Sequence, residues 1–396
     1  MQQPARSRLA FGLVTASTVV GTAGTDLVLP AVSGMPISLG CTLEQAQYVL
    51  AAFTAGAALG LYGFGELGAR GNQRELLAGA LGLYAGTSIL CALSPTFGSL
   101  IGLRFIQGVT ASCAAVFAPG MIRAIYGNGR AIAALGLLGS AQAIAAALAP
   151  VAGLWLVRAF GWRASFAVIA TFAGMLAVAT TTGRHLLPAC SANAGKEVGY
   201  ARLLCSWAFM RQALSYALTV AALLVFVFGV PTVITNAMGG HLYDFIVLQV
   251  CGILCFIVAN STAAPLTRRF GASRLITGGT LISVSGGWLL SIYALAGGSN
   301  IWCVTTMVLL LDIGMGLRGP AGLHAAMLAA DGDDARAASL VGIGVLALTA
   351  FATAMTAPFI SVGLVAIALA SAILAGTALV LLVIPLAKPT QVMAES

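Results

Sequence analysis

The sequence predicts an all-α integral membrane protein, with twelve transmembrane helices in two pseudo-symmetric six-helix bundles. Three observations predict it. Charge is scarce: 19 Lys and Arg and 11 Asp and Glu stand in 396 residues, against 60% apolar residues. Soluble domains carry roughly a quarter charged residues, so this chain lacks the polar surface that a soluble globule of its size needs. Apolar stretches of the length of a membrane-spanning helix, about 20 residues, recur along the whole chain. The cations between those stretches fall almost entirely in alternate loops. A soluble enzyme, a disordered chain and a disulfide-built secreted domain are excluded at once.

The spans lie near 9–33, 45–65, 76–94, 98–122, 131–157, 164–187, 208–236, 244–266, 274–296, 300–323, 337–357 and 361–386. The N-terminal MQQPARSRLAFGLV places two arginines before an apolar run longer than that of a signal peptide. With no small-residue cleavage site, it reads as an uncleaved first span. The longest polar interruption, PACSANAGKEVGYARLLCS at 188–206, is the linker between a bundle over 1–187 and a bundle over 207–396. The two halves echo each other. GELGARGNQR (65–74) follows the second span, and PLTRRFGASR (265–274) follows the eighth. This is the outline of a carrier built from repeats.

Orientation follows from the cations. With the N-terminus in the cytoplasm, the inner segments hold Arg6, Arg8, Arg70, Arg74, Arg123, Arg130, Arg184, Lys196, Arg202, Arg211, Arg268, Arg269, Arg274, Arg336 and Lys388, which is 15 of the 19. The outer segments hold Arg158 and Arg163, and Arg104 and Arg318 fall within spans. Such a bias places both termini in the cytoplasm, in a cell inner (plasma) membrane. It also accounts for the net charge of +8. No basic stripe or zinc spacing supports a nucleic-acid partner.

An ionisable group inside a span costs at least about 2.5 kcal/mol on insertion scales and is a functional candidate by default. Four lie clearly within spans, away from their ends: Asp26, Arg104, Asp312 and Arg318. Asp26 stands in GTAGTDLVLPAV, four residues before Pro30. Burial in a low-dielectric cavity favours the neutral form of a carboxyl, which suits one that takes up and releases a proton. Arg104, in GLRFIQG, is expected to be matched by Asp26 or by a water-filled cavity, with Gln107 and Gly108 beside it. Asp312 and Arg318 share the tenth span six residues apart and do not share a helical face, so each is expected to meet water or another helix. Asp312 is the candidate for a second proton site. Gln107, Gln142, Asn236 and Arg318 are candidate polar contacts for a substrate in a central cavity.

Other signals carry less chemistry. The fifth span, GLLGSAQAIAAALAPVAGLWL, is rich in small residues that let backbones approach, and Pro150 removes a backbone hydrogen bond within it. GMGLRG (314–319) satisfies G-x-G-x-x-G but follows no strand, so it is a chance match. Cys251 and Cys255 sit four apart without a His or carboxylate nearby and read as packing residues. His185, His241 and His324 lack metal-ligand spacing, and no metal or cofactor is expected. The acidic run Asp331, Asp333 and Asp334 is expected to form a solvated turn. No catalytic motif occurs.

At several of these positions the chain resembles the major facilitator superfamily, and within it the Bcr/CflA-type drug:proton antiporters, which include chloramphenicol exporters. TDLVLPAV (25–32) is similar to that group's D-x-Y-L-P-A motif, with Val28 in place of the tyrosine. LRFIQGVTAS (103–112) resembles its R-x-x-Q-G motif. APVAGL (149–154) resembles the G-P-x-x-G-G end of the exporters' fifth-helix motif, carried here by Pro150 and Gly153. GWRASF (161–166) matches the usual entry to the sixth helix. The loop motif G-x-L-a-D-R-x-G-R-R is met by Gly65, Leu67, Arg70 and Arg74, with Ala69 near the position of its Asp. The resemblance implies a monomeric, proton-coupled exporter of drugs or amphipathic metabolites, working by alternating access. In it Asp26 and Arg104 handle protons, with Asp312 the further candidate read from its place in the tenth span, while Gly65, Leu67, Arg70, Arg74, Pro150 and Gly153 serve gating and packing. Relatives also export single metabolites such as a siderophore, sugar or amino acid, and that alternative stays open, as do an importer and a non-transporting membrane sensor or scaffold.

Overall fold

The computed structural model describes residues 2–188 and 199–384. Cys190 and Lys196 of the expected linker, and Lys388, lie outside the described residues. Twelve helices are long and apolar enough to cross a membrane. They are α1 (Gln2–Asp26), α2 (Tyr48–Arg70), α3 (Gln73–Leu93), α4 (Phe97–Tyr126), α5 (Asn128–Phe160) and α6 (Arg163–Thr182) in the first half. The second half holds α7 (Trp207–Asn236), α8 (Leu242–Phe270), α9 (Ala272–Leu295), α10 (Ile301–Ala329), α11 (Asp334–Thr356) and α12 (Val365–Val383). No strand occurs among the described residues. In a bilayer every backbone polar group must be satisfied within the protein, and continuous helices do this.

Local sequence sets the ends. Asn72, Thr96, Ser206, Asn300 and Asp333 cap the starts of α3, α4, α7, α10 and α11 with side-chain oxygens. Gly127, with φ +66°, joins α4 directly to α5, and Gly271, with φ +86°, joins α8 to α9. The echoed loops are therefore built differently. Gly71 is extended, at φ −110°, and hands the chain to the Asn72 cap, whereas Gly271 turns alone. Several helices outrun their apolar stretches: α2 reaches Arg70 and α4 reaches Tyr126, keeping their last charged turns helical.

Small residues decide which helices touch. A Cβ on Gly56 would strike the carbonyl of Phe105, and one on Gly108 would strike that of Phe53, so α2 and α4 meet backbone to backbone. In the second half Gly279 and Gly314 do the same for α9 and α10, and Gly316 lies against Phe256 and Ala259 of α8. The G-x-G-x-x-G run at 314–319 is thus a mid-helix packing seam. Without a hydrophobic drive between helices in lipid, this close approach is what holds them. Across the two halves α2 packs on α11, and α5 packs on α8.

Candidate functional site

The first cluster is built on the α2–α4 seam. It seals Arg104, which is 0% exposed. Nε donates to the Val49 carbonyl at 3.2 Å, and Nη1 donates to Gln107 Oε1 at 2.5 Å. Gln107 Nε2 donates to Ser88 Oγ at 2.6 Å, and that hydroxyl donates to the Tyr84 carbonyl at 2.6 Å. The guanidinium lies over the Phe53 ring, 4.3 Å from its centroid, with Phe166 at 5.7 Å. Stacking on aromatic faces is the feature that distinguishes arginine from lysine here. Its Nη2 is buried without a partner. Asp26 does not pair with it. Gln107 is 0% exposed as well, so in this conformation it serves Arg104 and presents nothing to a cavity.

Asp26 is the last residue of α1; beyond it the chain enters a 3-10 turn, Leu29–Gly34, containing Pro30. Its side chain is half-buried and forms no hydrogen bond or ion pair among the described residues. Gly153 of α5 packs directly on the Leu27 carbonyl, leaving no room for a Cβ. Gly21 does the same for α1 against the Ala111 carbonyl of α4. The carboxylate is therefore held at the break of α1 by seams with α4 and α5. Pro150 lies within α5, which continues through it to Phe160.

The second half carries its own buried pair of charges on α10. Asp312 is 8% exposed, and its Oδ2 lies over Gly252 of α8, where a Cβ would come within 2.5 Å of it. Arg318 is 0% exposed. Its Nη1 donates to the Ser215 carbonyl (2.8 Å), Ser215 Oγ (3.1 Å) and Thr219 Oγ1 (2.5 Å), all on α7. Its Nε and Nη2 are buried without partners. The two residues do not pair, and Arg318 is spent on α7 rather than turned to a cavity. Gln142 is half-buried on α5 and is not brought to either charge. The side chain of Asn236 lies outside the described residues.

The third cluster joins the halves, at the end of the bundle that carries Arg70, Arg123 and Arg268. Arg336 of α11 holds Glu66 of α2 and also donates to Asp333 at 2.8 Å. Arg123 of α4 donates to Asp334 at 2.5 Å, and Arg202 reaches Asp331 at 3.1 Å. The expectation of a solvated turn at 331–334 holds for Asp331, whose side chain is 64% exposed, and is corrected for the other two. Asp333 is 9% exposed and bonds Arg336, and Asp334 pairs with Arg123 across the halves. Tyr200, on the short helix Tyr200–Cys205, stacks on Tyr62 of α2 with ring centroids 5.0 Å apart. Its hydroxyl donates to the Tyr62 carbonyl at 2.7 Å and lies 3.1 Å from Ser339 Oγ of α11. Burial pushes the Tyr200 phenol above its ordinary range, so it stays a donor. Gly65 is the socket, because a Cβ there would meet that hydroxyl. Asn260 of α8 adds Nδ2 bonds to the Gly136 carbonyl (2.5 Å) and to Ser140 Oγ (3.0 Å) of α5. Of the expected loop residues, Arg70 pairs only with Glu66 and is 76% exposed, and Leu67 is 52% exposed.

A family model described as the Major Facilitator Superfamily matches residues 14–259. The chain belongs to that superfamily. Among curated relatives, a chloramphenicol resistance protein of Pseudomonas aeruginosa is 27% identical over 290 residues, covering 70% of this chain and 68% of that protein. The multidrug resistance protein MdtL of Escherichia coli is 25% identical over 218 residues. That match covers 55% of this chain and spans about half of MdtL, 56%. The superfamily fold is matched through nearly the whole chain. The proton:xylose symporter XylE, bound to 6-bromo-6-deoxy-D-glucose, aligns with a TM-score of 0.76 at 15% identity, covering 96% of this chain and 95% of its own. FucP in the outward conformation aligns with a TM-score of 0.73 at 14% identity, covering 95% and 98%.

Sequence reasoning missed Glu66, Asn260 and Tyr200, and it counted Arg336 only as a loop cation. A polar residue inside the apolar run GILCFIVANSTAAP was a signal for Asn260. Nothing local marked Glu66 as the partner of Arg336.

Proposed function

We propose that this superfamily member exports small drug-like or amphipathic molecules across the inner membrane, in exchange for protons, by alternating access. One observation carries the coupling: Asp26 is a carboxylate without a partner among the described residues, at the point where the first span ceases to be α-helical and is clasped by α4 and α5. Proton uptake from outside and release toward the cytoplasm occur at this group. Protonation and substrate binding compete, so inward proton flow drives outward export; each ligand shifts the two states only through its differential affinity for them. Asp312 is the second proton-exchanging carboxylate. Arg104 acts on Asp26 through the α1–α4 seam rather than by contact. The resistance proteins among the relatives support an exported cargo.

The bundles over 1–187 and 207–396 rock about a central cavity, tied by the linker 188–206. With the cation-rich end in the cytoplasm, both termini lie inside, and a bundle latched at that end faces outward. The chain works as a monomer in the lipid bilayer without a cofactor. The test is Asp26→Asn in reconstituted vesicles loaded with a pH-sensitive dye. Gradient-driven efflux is expected to vanish while insertion is retained, and unaltered efflux rejects the role. The direction of flux under an imposed pH gradient separates export from uptake.

A further inference from the structure

At the cation-rich end, the start of α3 and the end of α6 enclose a cavity of about 340 Å³, lined on one side by Asn72, Arg74 and Glu75 and on the other by Thr181, Arg184 and His185. Neither arginine has a carboxylate partner among the described residues, and Arg74 Nε is buried with no acceptor. The acid in the wall, Glu75, accepts a hydrogen bond from Asn72 at 3.0 Å. Thr180 and Thr181 bond their own helix, at the Leu176 and Ala177 carbonyls. The cavity thus offers cationic donors and few competing acceptors. Arg6 donates to the His185 carbonyl behind it and brings a third cation close.

An apolar track leads away from this cavity along the membrane face of α3. Gly79, Gly82 and Gly86 recur at helical spacing, and a Cβ on any of them would meet nothing within 4 Å. Elsewhere in the bundle glycines such as Gly56, Gly108 and Gly316 are filled by a neighbouring helix. This stripe has no helix against it. Leu83, next to Gly82, is 62% exposed, and α6, which packs on α3, exposes Met175 and Val178 at 54% and 65%. Charge at the interface and a smooth apolar groove below it match the two ends of a lipid.

We propose that the cavity between α3 and α6 binds the phosphate of an anionic phospholipid through Arg74 and Arg184, with an acyl chain lying along Gly79, Gly82 and Gly86. Basic pockets between spanning helices suit such headgroups. The shared chemistry is a phosphate anion, and the chain groove is what selects the lipid over free phosphate. Occupancy would brace α3 against α6.

The test is native mass spectrometry of the full detergent-solubilised chain, titrated separately with phosphatidylglycerol, phosphatidylcholine and inorganic phosphate. One phosphatidylglycerol is expected to be retained at least tenfold more tightly than phosphatidylcholine. Arg74→Gln with Arg184→Gln is expected to remove that preference. Gly82→Leu adds a side chain where a Cβ meets nothing within 4 Å and is expected to weaken retention several-fold while thermal stability holds. Equal retention of the two lipids, or a preference that survives the double substitution, overturns the proposal. Inorganic phosphate competing as well as the lipid, with Gly82→Leu without effect, overturns the lipid assignment and leaves a soluble anion.

Discussion

Arg336 of α11 grips Glu66 of α2 through two parallel hydrogen bonds, Nε to Oε2 at 2.7 Å and Nη2 to Oε1 at 3.0 Å, across 270 residues of sequence. The Arg336 side chain is 7% exposed and that of Glu66 is 28% exposed. A planar fork on a carboxylate fixes orientation as well as distance. Asp333 accepts from Nη1, so all three guanidinium nitrogens are engaged and the group holds α2 against α11.

Removing that grip is expected to loosen the latched end. Glu66→Gln removes the charge and one of the two oxygens that accept from Arg336, and a part-buried pair of this kind contributes on the order of 1–3 kcal/mol. The readout is thiol labelling of Leu61→Cys, which faces Gly342 of α11, in a chain otherwise free of cysteine. Labelling is expected to rise about 5- to 150-fold, the equilibrium shift that corresponds to that energy. Exchanging the charges, with Glu66→Arg and Arg336→Glu, is expected to restore protection only in part, because Asp333 and Arg70 then face like charges. An unchanged rate in Glu66→Gln would show that the pair does not control closure.

Tyr200 makes a second, separable contribution. Tyr200→Phe keeps the stack on Tyr62 and loses two polar contacts, a net loss of about 0.5–1.5 kcal/mol. Gly65→Ala drives a methyl into the hydroxyl and is expected to expose the same labelled site more strongly. Combining Gly65→Ala with Tyr200→Ala is expected to show non-additivity, since the second substitution removes the nearest group that the methyl strikes, the other being Ser339. Strict additivity would mean that Gly65 is not the socket.

Arg104 allows stability and transport to be separated. It is a buried cation with no carboxylate, so Arg104→Met is expected to leave thermal stability unchanged or raise it. Gradient-driven efflux is expected to fall at least tenfold if the arginine acts in coupling. Unfolding in detergent and vesicle efflux measured on one preparation give both values. Full efflux from Arg104→Met would make the residue purely structural.

The glycine run on α10 makes a prediction about packing. Gly316→Ala places a methyl 2.7 Å from Ala259 Cβ and the Phe256 carbonyl, an overpacking that costs about 1–3 kcal/mol. A lowered midpoint of thermal unfolding is expected, while Gly82→Ala, facing open space, is expected to change it little. Equal effects at the two sites would contradict the seam.

The spans were legible because their signal is one-dimensional: about 20 apolar residues, a cap and a turn suffice to define each. Asp26, Arg104, Asp312 and Arg318 were legible for the same reason, as charges that stand out against apolar neighbours. Their partners were not. Arg104 was expected to meet Asp26 or water, and it meets Val49, Gln107 and two aromatic rings. Arg318 settles on α7, 99 to 103 residues away.

By itself, the sequence determined that this chain crosses a membrane twelve times, where each helix runs and which few charges enter the bilayer. Hydropathy, capping and glycine turns act over neighbouring residues, so these features need no knowledge of the fold. The tertiary structure decided which polar groups meet: Glu66 with Arg336, Asp334 with Arg123, the Asn260 amide with α5, and Asp26 with none of these. It also decided that Asp333 and Asp334 turn inward, with Asp334 joining the halves, while Asp331 faces solvent. An ion pair depends on two helices packing in one register and at one depth. That register comes from glycine seams between distant segments, and no local pattern along the chain records it.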